Sequence, residues 1–178
     1  MIIRLNQEFR QELTLWQEFF QTWNGLSFFC MPMWVPVLDF QVSSDAAGSL
    51  GYGVIFNAQW FCGACSMKQK SILITYKELF PIVVDAALWG SEWVSQQVEF
   101  LCNNESVVSV LKSGSSWDQH LMGLLHHLSL LAICHSFVCI VSSVRGKVNP
   151  VADSLSHFQF EHFRCLAPQA DLTLCVIP

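Results

Sequence analysis

The chain is short of charge. Only 13% of its 178 residues are Asp, Glu, Lys or Arg, while 52% are hydrophobic. That balance excludes an intrinsically disordered chain, which needs the reverse. Basic residues are the scarcer kind: nine Lys and Arg against fourteen Asp and Glu leave a formal net charge of −5. Proteins that hold nucleic acid by neutralising phosphates are usually basic, so charge argues against strong, unassisted binding of that sort. No basic stretch followed by an apolar one opens the chain, so no secretory signal is visible. A disulfide framework is missing as well. The eight cysteines lie mostly in apolar runs, such as the ones holding Cys30, Cys134, Cys139 and Cys175, where reduced cysteine acts as a small hydrophobe. These features predict an intracellular, reducing compartment, cytoplasmic or nuclear. No internal repeat or low-complexity segment is present.

One stretch, Leu121 to Val141, lacks every acid and base and has about the length of a bilayer-spanning helix. Its β-branched and aromatic residues crowd into the second half, from Phe137 onward. That asymmetry predicts a buried helix to about Ala132, a break near His135 and then a buried strand. No membrane partner is expected.

The length suits one domain, or one domain with a short attached segment. Near the N-terminus, Phe9, Leu13, Leu15, Trp16, Phe19, Phe20 and Trp23 form an apolar stripe at helical spacing. Residues 24–38 then carry Pro32 and Pro36 and read as a covering loop or edge segment. Residues 38–66 read as three strands, with turns at Ala47-Gly48-Ser49 and at Asn57-Ala58. Such short gaps imply antiparallel neighbours. Residues 75–94 are apolar on nearly all sides, which predicts a buried helix with Pro81 kinking its first turns. The apolar run Val98–Cys102 is a strand that ends at Asn103 and Asn104. It follows a helix that itself follows a strand, so a parallel crossover is expected. Asn149 and Pro150 suit the cap and first position of a last helix. The sum is an α/β fold, a mixed sheet with helices packed on it.

Three acids sit where strands end or helices begin: Asp45, Glu78 and Asp153. Each has a plain structural role open to it. Asp45 suits a turn. Thr75-x-x-Glu78 fits a capping box. Asp153 near a helix N-terminus gains roughly 0.3–1 kcal/mol from the dipole.

Taken together, "SDAAGSLGYGVIF", "YKELFPIVVDAALWG", "FLCNNESVV" and "VRGKVNPVADSLSHF" resemble the ribonuclease H domain of retroelement polymerases, above all those of DIRS-type and related elements. Residues 1–37 resemble the connection that follows the polymerase in those elements, 38–160 the ribonuclease H-like domain and 161–178 the tail after it. The resemblance implies a five-stranded mixed sheet, three antiparallel strands then parallel ones, flanked by helices. It implies descent from a longer polymerase polyprotein and, ancestrally, cleavage of the RNA strand of RNA–DNA hybrids. Family members use four carboxylates to hold two Mg²⁺ ions (or Mn²⁺) about 4 Å apart, which stabilise the attacking water and the leaving oxygen.

Carried onto this chain, the first, second and fourth carboxylates fall on Asp45, Glu78 and Asp153. The third falls on Asn103, with Asn104 matching the Asn beside it. An amide carbonyl can ligate but brings no charge, and two close dications need charge. Glu105 lies two residues further on, inside the expected helix. Ser143 stands where the family has a histidine that assists proton transfer, and serine does not titrate near neutral pH. His157 stands where the family usually has Arg. The expected function is therefore that of a ribonuclease H-like domain with an impaired metal centre and weakened metal binding. The alternatives are a non-catalytic nucleic-acid or protein binding module and a still weakly active hybrid nuclease.

Other candidates are weaker. Cys62 and Cys65 form one C-x-x-C in a predicted strand, which sends them to opposite faces. His126 and His127 are adjacent on a helix and cannot share one face. Lys68, Lys70, Lys112, Arg145 and Lys147 could flank a hybrid-binding groove, with Trp117 as a stacking surface. They could equally be scattered solvated charge and one packed aromatic.

Overall fold

A computed structural model describes residues 6–22, 40–67, 71–144 and 149–177. The chain enters through α1 (Gln7–Thr22). Three strands follow, β1 (Gln41–Ala46), β2 (Gly51–Phe56) and β3 (Gln59–Ala64). Helix α2 (Ile74–Trp89) continues into a 3-10 turn at Gly90–Glu92. Then come β4 (Gln97–Cys102), α3 (Glu105–Ser113), α4 (Gln119–His135), β5 (Val138–Ser143), α5 (Pro150–Ser156) and α6 (Phe160–Leu166).

The five strands form one sheet in the order β3-β2-β1-β4-β5. β1 pairs antiparallel with β2, and β2 with β3. β1 pairs parallel with β4, and β4 with β5. This is the five-stranded mixed sheet, three antiparallel strands then parallel ones, that the sequence analysis expects. The acid-free stretch resolves as α4 followed by β5, with the break where the β-branched residues begin. Among the described residues no helix is long and apolar enough to cross a membrane.

Strand alternation sorts the core into two layers. On β2, Tyr52, Val54 and Phe56 face the larger cluster, which also holds Leu79, Ile82 and Ala86 of α2 and Leu121, Leu125 and Leu128 of α4. Ile55 faces the other way and joins Trp60, Leu155, Phe163, Ala167 and Ala170. At about 25 cal/mol for each Å² of apolar surface removed from water, the larger layer is the main source of stability.

The second layer is thin, and glycine makes it so. A Cβ at Gly53 would overlap Cβ of Leu155 and stand 2.8 Å from the Ser156 backbone nitrogen. Only a residue without a side chain lets α5 lie this close to β2. Gly53 is the cross-strand partner of Asp45, so the close approach occurs beside that acid.

Two local expectations differ. Helix α2 begins two residues too early for a Thr75 capping box: its cap position is Leu73, with no side-chain cap bond. Glu78 is therefore not held at the helix end and is buried in the body of the protein. Pro81 lies inside α2, which nevertheless runs on to Trp89. At α5, Asn149 does occupy the cap position with Pro150 behind it, but its side chain makes no cap bond. It donates instead from Nδ2 to the Ser44 carbonyl at 2.9 Å, tying α5 to β1 one residue from Asp45.

The residues beyond 160 are bound to the sheet edge. Asp171 N donates to the Ala58 carbonyl and Cys175 N to the Trp60 carbonyl. Trp60 Nε1 returns a bond to the Asp171 carbonyl at 2.7 Å.

Candidate metal centre

The parallel pairing of β1 with β4 aligns Gln41 with Glu99, Val42 with Phe100 and Ser43 with Leu101. Two residues further, the same register puts Asp45 level with Asn103. The side chains meet: Asn103 Nδ2 donates to Asp45 Oδ1 at 2.8 Å. An ionised carboxylate only accepts, so it is the amide nitrogen that faces it. The second oxygen is also engaged, since Ser156 Oγ donates to Asp45 Oδ2 at 2.6 Å. Burial raises the pKa of Asp45; these two hydrogen bonds pull it back down, and the Asp153 charge pushes it up again.

Asp153 and His157 lie one turn apart on the exposed side of α5 and its C-terminal cap. His157 Nδ1 is 3.5 Å from Asp153 Oδ1 and 3.0 Å from the Asp153 carbonyl oxygen. One ligand atom each from Asp45, Asp153 and His157 fall within 4.8 Å of one another. Glu78 approaches from α2, on the opposite face. Burial, and after it the charge of Asp45, push its pKa up to about 8, against a lowering bond from the Ala46 backbone. Its Oε2 is buried and has no hydrogen-bond partner. The Cys102 thiol, beside Asn103, is pushed up to about 12, chiefly by burial and to a lesser degree by the charges of Glu78 and Asp45.

Of the sequence-predicted acids, Asp45 and Asp153 meet in one cluster, with Asn103 bonded to Asp45. Glu78 lies near enough to Asp45 to feel its charge but stands outside that cluster. Ser143 closes β5 opposite Cys102 and is exposed. Asn104 keeps its structural task, with Oδ1 accepting from the backbone N–H of Ser106 and Val107. Glu105 opens α3 as an exposed residue and does not join the cluster. Ser156 is the member that sequence reasoning passed over. The signal was its position one helical turn after Asp153 and beside His157, near enough for its hydroxyl to reach Asp45.

The donor set fits one divalent cation. Three ligand atoms, from Asp45, Asp153 and His157, are gathered, and Glu78 is not among them. It does not fit the second ion that the resemblance implies. The residue level with Asp45 presents a neutral donor where an anionic ligand would be needed.

The remaining candidates do not add chemistry to this end of the sheet. Cys62 packs against the thin layer while Cys65 is buried near the Gly48 carbonyl, and both are free thiols. His126 Nε2 is 2.8 Å from Glu12 Oε1, so it joins α4 to α1. Trp117 is fully exposed and not packed, and Lys112 is exposed in the last turn of α3. Lys68, Lys70, Arg145 and Lys147 lie outside the described residues, as does the Pro-containing segment 24–38.

No family model matches the chain. No curated protein matches it either. Among solved structures, the chain is similar to RNase H1 from the halophilic archaeon Halobacterium salinarum, with a TM-score of 0.46 and 12% identity over 68% of this chain and 95% of that one. The N-terminal RNase H domain of a Mycobacterium tuberculosis protein gives 0.46 and 12%, over 72% and 99%. An RNase H1 isolated from compost by a metagenomic approach gives 0.40 and 15%, over 65% and 90%.

Proposed function

We propose that this chain is a ribonuclease H-like domain of retroelement descent whose two-metal centre for cutting RNA–DNA hybrids is disabled. In this reading residues 1–37 are the remnant of a connection to a polymerase, 38–160 the nuclease-like domain and 161–178 the tail that followed it. The observation that carries the loss of activity is the bond from Asn103 Nδ2 to Asp45 Oδ1. In-line phosphodiester hydrolysis with two ions needs one ion on the attacking water and one on the leaving oxygen. A single bound ion would supply Lewis acidity and charge at one of those oxygens only. Asp45 and Asp153 would hold it, Asn103 and Ser156 would orient Asp45, and Ser143 offers no group to move a proton. Charge stabilisation of this kind is usually the largest single contribution to catalysis, so its loss lowers the rate by several orders of magnitude.

The test is a cleavage assay on a labelled RNA–DNA hybrid with Mg²⁺ or Mn²⁺. The expected result is no cutting above background by the unmodified chain. Metal-dependent cutting that disappears in Asp45→Asn overturns the reading. Asn103→Asp, alone and with Ser143→His, is expected to restore measurable cleavage.

A further inference from the structure

We propose that Asp45, Asp153 and His157 form a single-ion site that prefers a divalent transition metal, with Zn²⁺ as the type, over Mg²⁺. The inference deepens the proposed function at the same site and rests on its placement of a metal there. It depends neither on retroelement descent nor on the loss of cleavage.

The ligand set carries it. Mg²⁺ takes oxygen donors and keeps near-octahedral geometry, whereas imidazole with carboxylate suits Zn²⁺ and its neighbours. Catalytic zinc sites commonly have three protein ligands drawn from His, Asp and Glu. Here one ligand atom from each of two carboxylates and one imidazole lie within 4.8 Å of one another.

The surroundings of those ligands are also those of a built site. Ligating carboxylates are themselves hydrogen-bonded, and ligating histidines are held through a backbone carbonyl or carboxylate. Asp45 accepts from Asn103 at 2.8 Å and from Ser156 at 2.6 Å, which leaves a lone pair on each oxygen. The His157 ring rests on the Asp153 carbonyl at 3.0 Å. Independent of these three residues, Glu78 is 5% exposed and its Oε2 has no partner, and it lies close enough to Asp45 to feel its charge. The same Asn103 that removes the second ion's ligand keeps Asp45 oriented toward the remaining one.

The test is Co²⁺ titration of the metal-free full chain, read by visible d–d absorption, with Zn²⁺ and Mg²⁺ as competitors. One Co²⁺ per chain is expected, displaced by an equivalent of Zn²⁺ and not by a hundredfold excess of Mg²⁺. His157→Asn should weaken Co²⁺ binding by about tenfold or more, and Asp153→Asn by a similar factor. Both residues are exposed, so neither change threatens the fold. The double variant His126→Asn, His127→Asn should leave the titration unchanged. Displacement by equimolar Mg²⁺, or full Co²⁺ affinity in His157→Asn, overturns the proposal. So does binding that is lost only in the His126, His127 double variant. These outcomes are separate from the cleavage assay: a chain that binds no Co²⁺ and cuts no hybrid defeats the zinc-type site alone. A chain that cuts hybrid with Mg²⁺ defeats the disabled-nuclease reading, whatever it does with Co²⁺.

Discussion

β1 and β4 lie side by side and run in the same direction, yet at the same level they deliver different groups. β1 carries a buried carboxylate, Asp45, one residue before its end. β4 ends just before an amide, Asn103. A buried carboxylate left without compensation is costly, and two of them side by side cost more. A metal centre solves this with cations. Here neutral donors do it: one from Asn103 across the strand boundary and one from Ser156 on α5. The difference teaches that this site is stable as a hydrogen-bonded network before any ion arrives. Glu78 shows the contrast from within: one of its oxygens received no such donor, and burial, then the charge of Asp45, push its pKa up to about 8.

The largest expected effect comes from Glu78, the uncompensated member. Its carboxyl titrates near 4.5 when unfolded and near 8 when folded. Between those values the folded chain holds a proton that the unfolded chain releases. Stability is therefore fully present below about pH 4.5, falls as pH rises through the window and levels off above about 8. Asp85, wholly buried with both oxygens unpartnered, also has its pKa raised by burial and adds to the same slope. Glu78→Gln should flatten the curve and stabilise the chain at pH 8 by on the order of 3–5 kcal/mol relative to the unmodified protein. Urea unfolding from pH 4 to 9 checks this, and equal slopes for the two proteins would contradict it.

A smaller effect is expected at the amide itself. Asn103→Asp replaces the donor with a second carboxylate facing Asp45 and should destabilise the metal-free chain by about 2 kcal/mol at pH 7. Divalent cation should recover most of that loss, because the site now has the ligand for a second ion. Thermal melts with and without 10-fold molar excesses of Mg²⁺ read both halves. A melt unmoved by the substitution would show that Asn103 does not compensate Asp45.

The smallest effect separates the two adjacent amides. Asn104→Ala removes the cap of α3 and should cost about 1 kcal/mol at any pH, with no response to metal. A metal-dependent or pH-dependent loss there would break the division of labour between Asn103 and Asn104.

Much of this was legible along the chain. Two short turns specified the antiparallel half, and the helix between Cys65 and Val98 specified the parallel crossover. Asn104 was readable as a cap because capping is local, reaching only to Ser106 and Val107. The same local reasoning misled at Thr75 and Glu78, where the T-x-x-E spacing was present but the helix had already begun. The start has no side-chain cap, and its cap position and first residue, Leu73 and Ile74, are exposed, so the T-x-x-E spacing does not mark it.

Residue types and their order marked Asp45, Glu78, Asp153, Asn103 and Ser143, through the resemblance they carry, as positions expected at one site. They also determined the strand senses, because short loops permit only antiparallel neighbours and a helical crossover permits parallel ones. Only the tertiary structure decided what Asn103 does with its amide, that Ser156 supplies the second donor, that Glu78 Oε2 is left without one, and that His157 joins Asp45 and Asp153. These contacts span up to 111 residues of chain and depend on how closely α5 can lie against β2. The absence of a side chain at Gly53 permits that distance. Hydrogen bonds and metal sites demand tenths of an ångström, and sequence patterns specify faces and neighbours at no finer scale than a residue.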